Sequence, residues 1–167
     1  MSVEDGMAGL AAQGETAGPL ADVVRGLSRG LGEDLVAVVL FGSRARGEAD
    51  LGSDWDLLVV ARGLPGRTLE RHFRLKAMLP DVWRGQVALL AKTPAEFEAR
   101  LPALYLDIAL DGVVLYDTGG YMGRRLAYLR ELLRRRGLQR ARSGRDIVWR
   151  WQEAPPLEWA LEWEGAP

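Results

Sequence analysis

Two nearly unbroken apolar runs, residues 35–41 and 57–60, stand out along the chain. Short apolar runs bounded by turn residues read as strands buried on both faces. Between them lies a polar loop that opens at Gly42-Ser43 and closes at Asp54-Trp55-Asp56. Upstream, Pro19 can open a helix whose apolar stripe is Leu20, Val23, Val24, Leu27 and Leu31, with Gly30 and Gly32 ending it. Downstream, residues 68–79 alternate apolar and basic positions at helical spacing and stop at Pro80. Residues 86–91 are a third strand candidate. Thr93-Pro94-Ala95-Glu96 is a capping box with proline at the first helical position, and it starts a helix that runs past a kink at Pro102 to Gly112. A short strand over 113–116 and a helix over Tyr121–Arg136 complete the pattern. Strand, turn, strand, helix, strand, helix predicts an α/β (α+β) fold: a small mixed β-sheet with helices packed on it, followed by a C-terminal helical segment.

Chemistry concentrates in the loop between the first two strands. Carboxylates at alternate positions of a strand share a face, about 6–7 Å apart along the backbone, while the residue between them points away. Asp54 and Asp56 form such a pair around Trp55, and a pair of this kind suits a hard divalent cation. Gly42 allows close approach of a ligand to the backbone, and the free N–H groups of a helical turn at Ser43 suit a phosphate. On its own an Asp-x-Asp is more often two solvated acids, and a Gly-Ser dipeptide a plain strand-ending turn.

The spacing changes that balance. Gly42-Ser43, ten residues, then Asp54-x-Asp56, with Arg46-Gly47 and Ser53-Asp54 between and Leu57 after, resembles the signature of the DNA polymerase beta-like nucleotidyltransferase superfamily. The small size is similar to its minimal nucleotidyltransferases. The resemblance implies that Asp54 and Asp56 are catalytic metal ligands for Mg²⁺, and that Gly42, Ser43, Arg46 and Ser53 bind the phosphates of ATP or another nucleoside triphosphate. It implies transfer of a nucleotidyl group to an acceptor hydroxyl with release of pyrophosphate. It also implies a place beside a small helical partner protein, with this chain in an antitoxin-type role. Arg44 is expected to be solvated. One departure stands out. Active relatives carry a third carboxylate on the next core strand, but Gln86 and Ala88 occupy the same-facing positions here, and Asp81, Asp107 and Asp111 lie elsewhere. A catalytically degenerate nucleotide- or protein-binding module, acting through an Arg/Trp-rich C-terminal segment, is the alternative.

Composition narrows the remaining classes. A chain of 167 residues with 48% hydrophobic content supports one domain with an appendage. The expected division is a flexible tail over 1–17, a nucleotidyltransferase-like domain over 18–117, and an Arg-rich helix with a Trp/Glu-rich segment over 118–167. Without cysteine there are no disulfides, thiolate zinc sites or cysteine nucleophiles. The N-terminal stretch carries Glu4 and Asp5 and no basic start, so a signal peptide is not expected; no membrane span is expected either, and a cytoplasmic location is. His72, the single histidine, has no second histidine to share a metal. A net charge of −1 disfavours a general nucleic-acid binder, although residues 124–150 hold ten arginines against Glu131 and Asp146. Trp149, Trp151, Trp159 and Trp163 are expected to pack on the domain or, failing that, to form a partner or homo-oligomer patch.

Overall fold

The first apolar run forms β1 (Leu35–Phe41), the second extends into β2 (Trp55–Ala61), and the two pair antiparallel at the centre of a four-stranded sheet. The computed structural model describes residues 17–144, 146–155, 161 and 163; the tail expected over 1–17 lies outside them apart from Ala17. β3 (Val87–Lys92) runs parallel to β2 on one side, and β4 (Val113–Asp117) runs antiparallel to β1 on the other. The order is β3-β2-β1-β4, a mixed sheet as the sequence predicts.

Helices cover both faces, which is why β1 and β2 are apolar at almost every position. Against one face lie α1 (Ala17–Leu31) and, across the short α2 (Gly42–Ala45) in sequence, α3 (Thr68–Met78), packing Leu20, Val24, Leu27 and Leu75 on Leu40, Leu57 and Val59. α4 (Asp81–Arg84) leads into β3. The opposite face holds α5 (Pro94–Ala99), α6 (Ala103–Asp111) and α7 (Tyr121–Arg136), whose Phe97, Ile108, Leu126 and Leu129 pack on Val36, Val39, Leu58 and Val60. A register shift between Leu35 and Ala37 lets Val36 and Ala37 both turn to this second core, as a β-bulge does. Among the described residues no helix is long and apolar enough to cross a membrane.

Two expectations need correcting. The single kinked helix from Thr93 to Gly112 is two helices. Arg100 is extended (φ −147°, ψ 156°) and ends α5; Pro102, which offers no N–H and biases Leu101 before it away from helical geometry, then caps α6. The arginine run also does not stay helical. After α7 stops at Gly137 (φ 63°), the chain forms an antiparallel hairpin, β5 (Leu138–Ser143) and β6 (Asp146–Trp151). Trp149 and Trp151 on β6 border the second core. Trp163 lies beside the rings of Phe97 and Tyr128 and donates its indole N–H to the Arg100 carbonyl (3.1 Å), so three of the four tryptophans pack on the domain. Trp159 lies outside the described residues.

The predicted capping box is present at α5, and it does a second job. Glu96 accepts from the Thr93 N–H and binds the buried Arg71 through both carboxylate oxygens (2.7 and 3.0 Å), while Arg71 also donates to the Pro65 and Ala91 carbonyls. Arg71, then the Thr93 N–H, pulls the Glu96 carboxyl down to about 2. Its folded value lies below the unfolded one, so the stabilisation is complete above about pH 4.5 and is lost as pH falls towards 2. Glu96→Gln is therefore expected to cost about 1 kcal/mol at neutral pH, a figure kept small because Glu96 is itself partly exposed. In urea denaturation followed against pH, the gap between wild type and variant closes through that acid window; a constant gap would reject the ion pair as its source.

Candidate functional site

β1 and β2 are in register such that Phe41 lies opposite Asp56, which sets the next residue, Gly42, beside the Asp56 side chain. Gly42 adopts φ +75°, and a Cβ placed on it would lie 2.3 Å from Asp56 Oδ2. Glycine is needed there twice over, for the left-handed backbone and for the space. From Gly42 the chain makes the single helical turn of α2, with the Arg46 N–H donating to the Gly42 carbonyl (3.2 Å) and the Glu48 N–H to the Ser43 carbonyl (2.9 Å). The Ser43 hydroxyl makes no hydrogen bond among the described residues.

The loop closes on itself before re-entering the sheet. The Ser53 hydroxyl accepts from the Asp50 N–H and donates to Asp50 Oδ1, both at 3.0 Å, so it shapes the loop. Arg44 is not the solvated residue expected. It donates twice to the Ser53 carbonyl (3.0 and 2.7 Å) and its guanidinium lies 4.3 Å from the centre of the Trp55 ring, which in turn meets Trp83 edge-on. Trp55 thereby anchors the loop on the first core, and alternation sends Asp56 to the opposite face, that of Leu58 and Val60.

Asp54 is exposed and Asp56 half-buried, and neither carboxylate accepts a hydrogen bond from the described residues. Burial raises the Asp56 carboxyl above the ordinary aspartate value, and repulsion from Asp54 adds to the shift; the nearby Arg46 guanidinium opposes it. Arg46 is itself held by Glu48 (Nε to Oε2, 2.9 Å). Gly42, Ser43, Arg46, Asp54 and Asp56 are thus gathered at one end of the sheet, and Ser53 braces the loop above them. His72 is exposed on α3, apart from this group.

β3 settles where a third carboxylate would stand. Ala88 is the register partner of Asp56 in the parallel β2–β3 pair, so it is their shared face that lacks an acid. Gln86 sits one step outside the strand, its side chain donating to the Val82 carbonyl (2.9 Å). Asp107 and Asp111 project from α6 but are held by Arg140, and Asp81 pairs with Arg84. Among the described residues no cluster of three acids or histidines forms a metal site. The sequence reading missed that β5 brings Arg140 and Arg142 to this end of the molecule; the period-two alternation through Leu138, Arg140 and Arg142, followed by Gly144, was the available signal.

A Gly-Ser turn facing a same-sided Asp pair on a mixed sheet defines a nucleotidyltransferase-type scaffold. The comparisons agree: a model of the nucleotidyltransferase domain matches residues 23–112, more than half of the chain, and the chain belongs to that family. It is similar to a Methanocaldococcus jannaschii protein classed by inference as a protein adenylyltransferase, with 31% identity over 108 residues, 62% of this chain and 74% of that protein. Among solved structures it is similar in fold to a toxin–antitoxin protein determined with AMP-PNP, with 18% identity, a TM-score of 0.50, and coverage of 68% of this chain and 86% of that one.

Gly42→Ala is expected to destabilise the fold by about 2 kcal/mol, from left-handed strain and the contact with Asp56. Pairing it with Asp56→Gly recovers the contact share but not the strain, a difference that chemical denaturation of the two variants resolves. A Gly42→Ala protein as stable as wild type would contradict this geometry.

Proposed function

We infer that the Gly42–Asp56 site binds a nucleoside triphosphate together with a divalent cation and transfers its nucleotidyl group to a hydroxyl acceptor. The observation that carries this is a pair of carboxylates without hydrogen-bond partners among the described residues: Asp56 beside Gly42 and the first turn of α2, with Asp54 near enough to repel its charge. The donor set fits Mg²⁺ in one particular way. Two carboxylates are too few for a dedicated protein cage, but Mg²⁺ is commonly held by one or two carboxylates plus substrate phosphates. The cation and the triphosphate would therefore bind together.

Each residue has a share in the chemistry. Asp54 and Asp56 would hold the cation; bound there, Mg²⁺ supplies charge stabilisation at the attacking and leaving oxygens. The N–H groups at the start of α2, the Ser43 hydroxyl and Arg46 would bind the phosphates, and Ser53, with Arg44, keeps the loop in place around them. The acceptor oxygen bonds to the α-phosphorus, the bond to the β-phosphate bridge breaks, and pyrophosphate leaves. Ala88 offers no base beside Asp56, so the acceptor proton passes to water. ATP as donor and a protein hydroxyl as acceptor are supported by the 31% identity to the archaeal protein classed as an adenylyltransferase. The sequence resemblance also implies a small helical partner protein working beside this chain, in which this chain would be the antitoxin-type member.

Calorimetric titration of Mg-ATP into the protein tests the reading. Asp56→Asn is expected to weaken binding at least about tenfold, the scale of losing one charged ligand. The same variant should unfold no earlier than wild type at neutral pH without metal, because its raised carboxyl value means burial works against the charge it removes. Mg-ATP binding unchanged by Asp56→Asn would sink the assignment.

Ala88 favours a second reading, in which the site binds nucleotide without efficient transfer. Ala88→Asp is expected to raise nucleotidyl transfer by about a hundredfold, the usual scale of general-base help. Measured by release of pyrophosphate, no gain in a folded variant that still binds Mg-ATP would count against the missing acid as what limits transfer.

A further inference from the structure

The hairpin that follows α7 is tied to the candidate site by one carboxylate. Glu48 Oε2 accepts from Arg46 Nε at 2.9 Å, and its other oxygen, Oε1, accepts from Arg142 on β5. Arg142 is held at that place. Leu138, Arg140 and Arg142 alternate on one face of β5; Leu138 joins the second core, Arg140 grips Asp111 (Nη2 to Oδ1, 2.7 Å) and Asp107 (3.4 Å) on α6, and Arg142 stands exposed at the rim. Cross-strand partners Trp149 and Trp151 border the same core. Arg46 in turn lies close enough to Asp56 to act on its charge. Ion pairs therefore link the hairpin through Glu48 to Arg46, whose charge is felt at Asp56.

Such an arrangement poses a problem for a phosphate ligand. Glu48 takes the Nε of the guanidinium that the phosphates would use, and its negative charge stands beside them. Arg142 answers both difficulties, because it holds the second oxygen of Glu48 when Arg46 lets go. We propose that Glu48 keeps Arg46 in place until a triphosphate arrives, and that Arg142 is a positioning residue which draws Glu48 aside and neutralises it in the nucleotide complex. This rests on the phosphate seat assigned above, and it gives the hairpin a part in nucleotide binding without placing it on the nucleotide.

The test is a double-mutant cycle read by Mg-ATP calorimetry at low salt. Arg142→Gln is expected to weaken binding roughly two- to fivefold and Glu48→Gln to tighten it by a similar factor, the size of an exposed ion-pair contribution. In the Glu48→Gln background, adding Arg142→Gln should change nothing, whereas with Glu48 present Arg142→Lys should keep most of the wild-type affinity. A role confined to structure would weaken binding in every variant and would persist without Glu48; that result, or no Mg-ATP binding by wild type at all, overturns the proposal. Equal weakening by Arg142→Gln with and without Glu48 would put Arg142 on the phosphates directly and also overturns it. If the expected pattern is found but no nucleotidyl transfer is detected, this relay stands and the transferase reading falls.

Discussion

The pairing of Phe41 with Asp56 across β1 and β2 fixes nearly everything at this site. It brings a strand end and a strand start side by side, so the turn that leaves one and the carboxylates that enter the other meet within a few residues of sheet. Gly42 is the residue that permits the meeting, since any side chain there would occupy the place of Asp56 Oδ2. A one-residue slip in this register would send Asp56 towards the first core and Trp55 to the polar mouth. The apolar runs on both strands guard against that slip, because their alternate positions are committed to different cores: Leu57 and Val59 to one, Leu58 and Val60 to the other.

Charge is organised around the same end of the molecule. The arginines after residue 124 suggest an external acidic or phosphate-rich partner, yet those described are largely met by the chain's own groups. Arg125 pairs with Glu98, Arg130 donates to the Ala109 carbonyl, Arg134 binds Glu131, and Arg140 and Arg142 reach Asp111 and Glu48. Glu98 also accepts from the Tyr121 hydroxyl, whose proton is held up to about 12, chiefly by burial. The segment thus docks on the body through ion pairs at its rim and Leu138, Trp149, Trp151 and Trp163 within.

The four strands of the mixed sheet, the α1 stripe, the α5 cap and the nearness of Gly42 to Asp56 are legible in the sequence, because each depends on local periodicity or on spacing within one loop. The break at Pro102 was misjudged since proline marks either a kink or a boundary, and only packing decides which. The hairpin was hidden by its composition: arginines at Arg140 and Arg142 look like solvent-facing charges until Asp107, Asp111 and Glu48, distant in sequence, are brought opposite them. Arg44 was misplaced for the same reason, as its partners are a backbone carbonyl and a ring that the loop folds back to provide. Register with β3 likewise chose Ala88 over Gln86 as the neighbour of Asp56, which no count along the chain could do.

Asp56 carries the tension between stability and function in this fold. Half-buried, next to Asp54, and without a hydrogen-bond donor among the described residues, it holds a charge that its surroundings disfavour. A natural relief would be a donor from the neighbouring strand, but Ala88 is silent. Arg46 is near enough to help and is instead shared with Glu48. Each nearby countercharge is therefore partly withheld from the carboxylate pair, and a bound cation would gain what the protein itself forgoes. On the proposed reading, the same logic would make Asp54 and Asp56 a weak site for a lone ion and a better one for an ion that arrives with its own phosphate ligands.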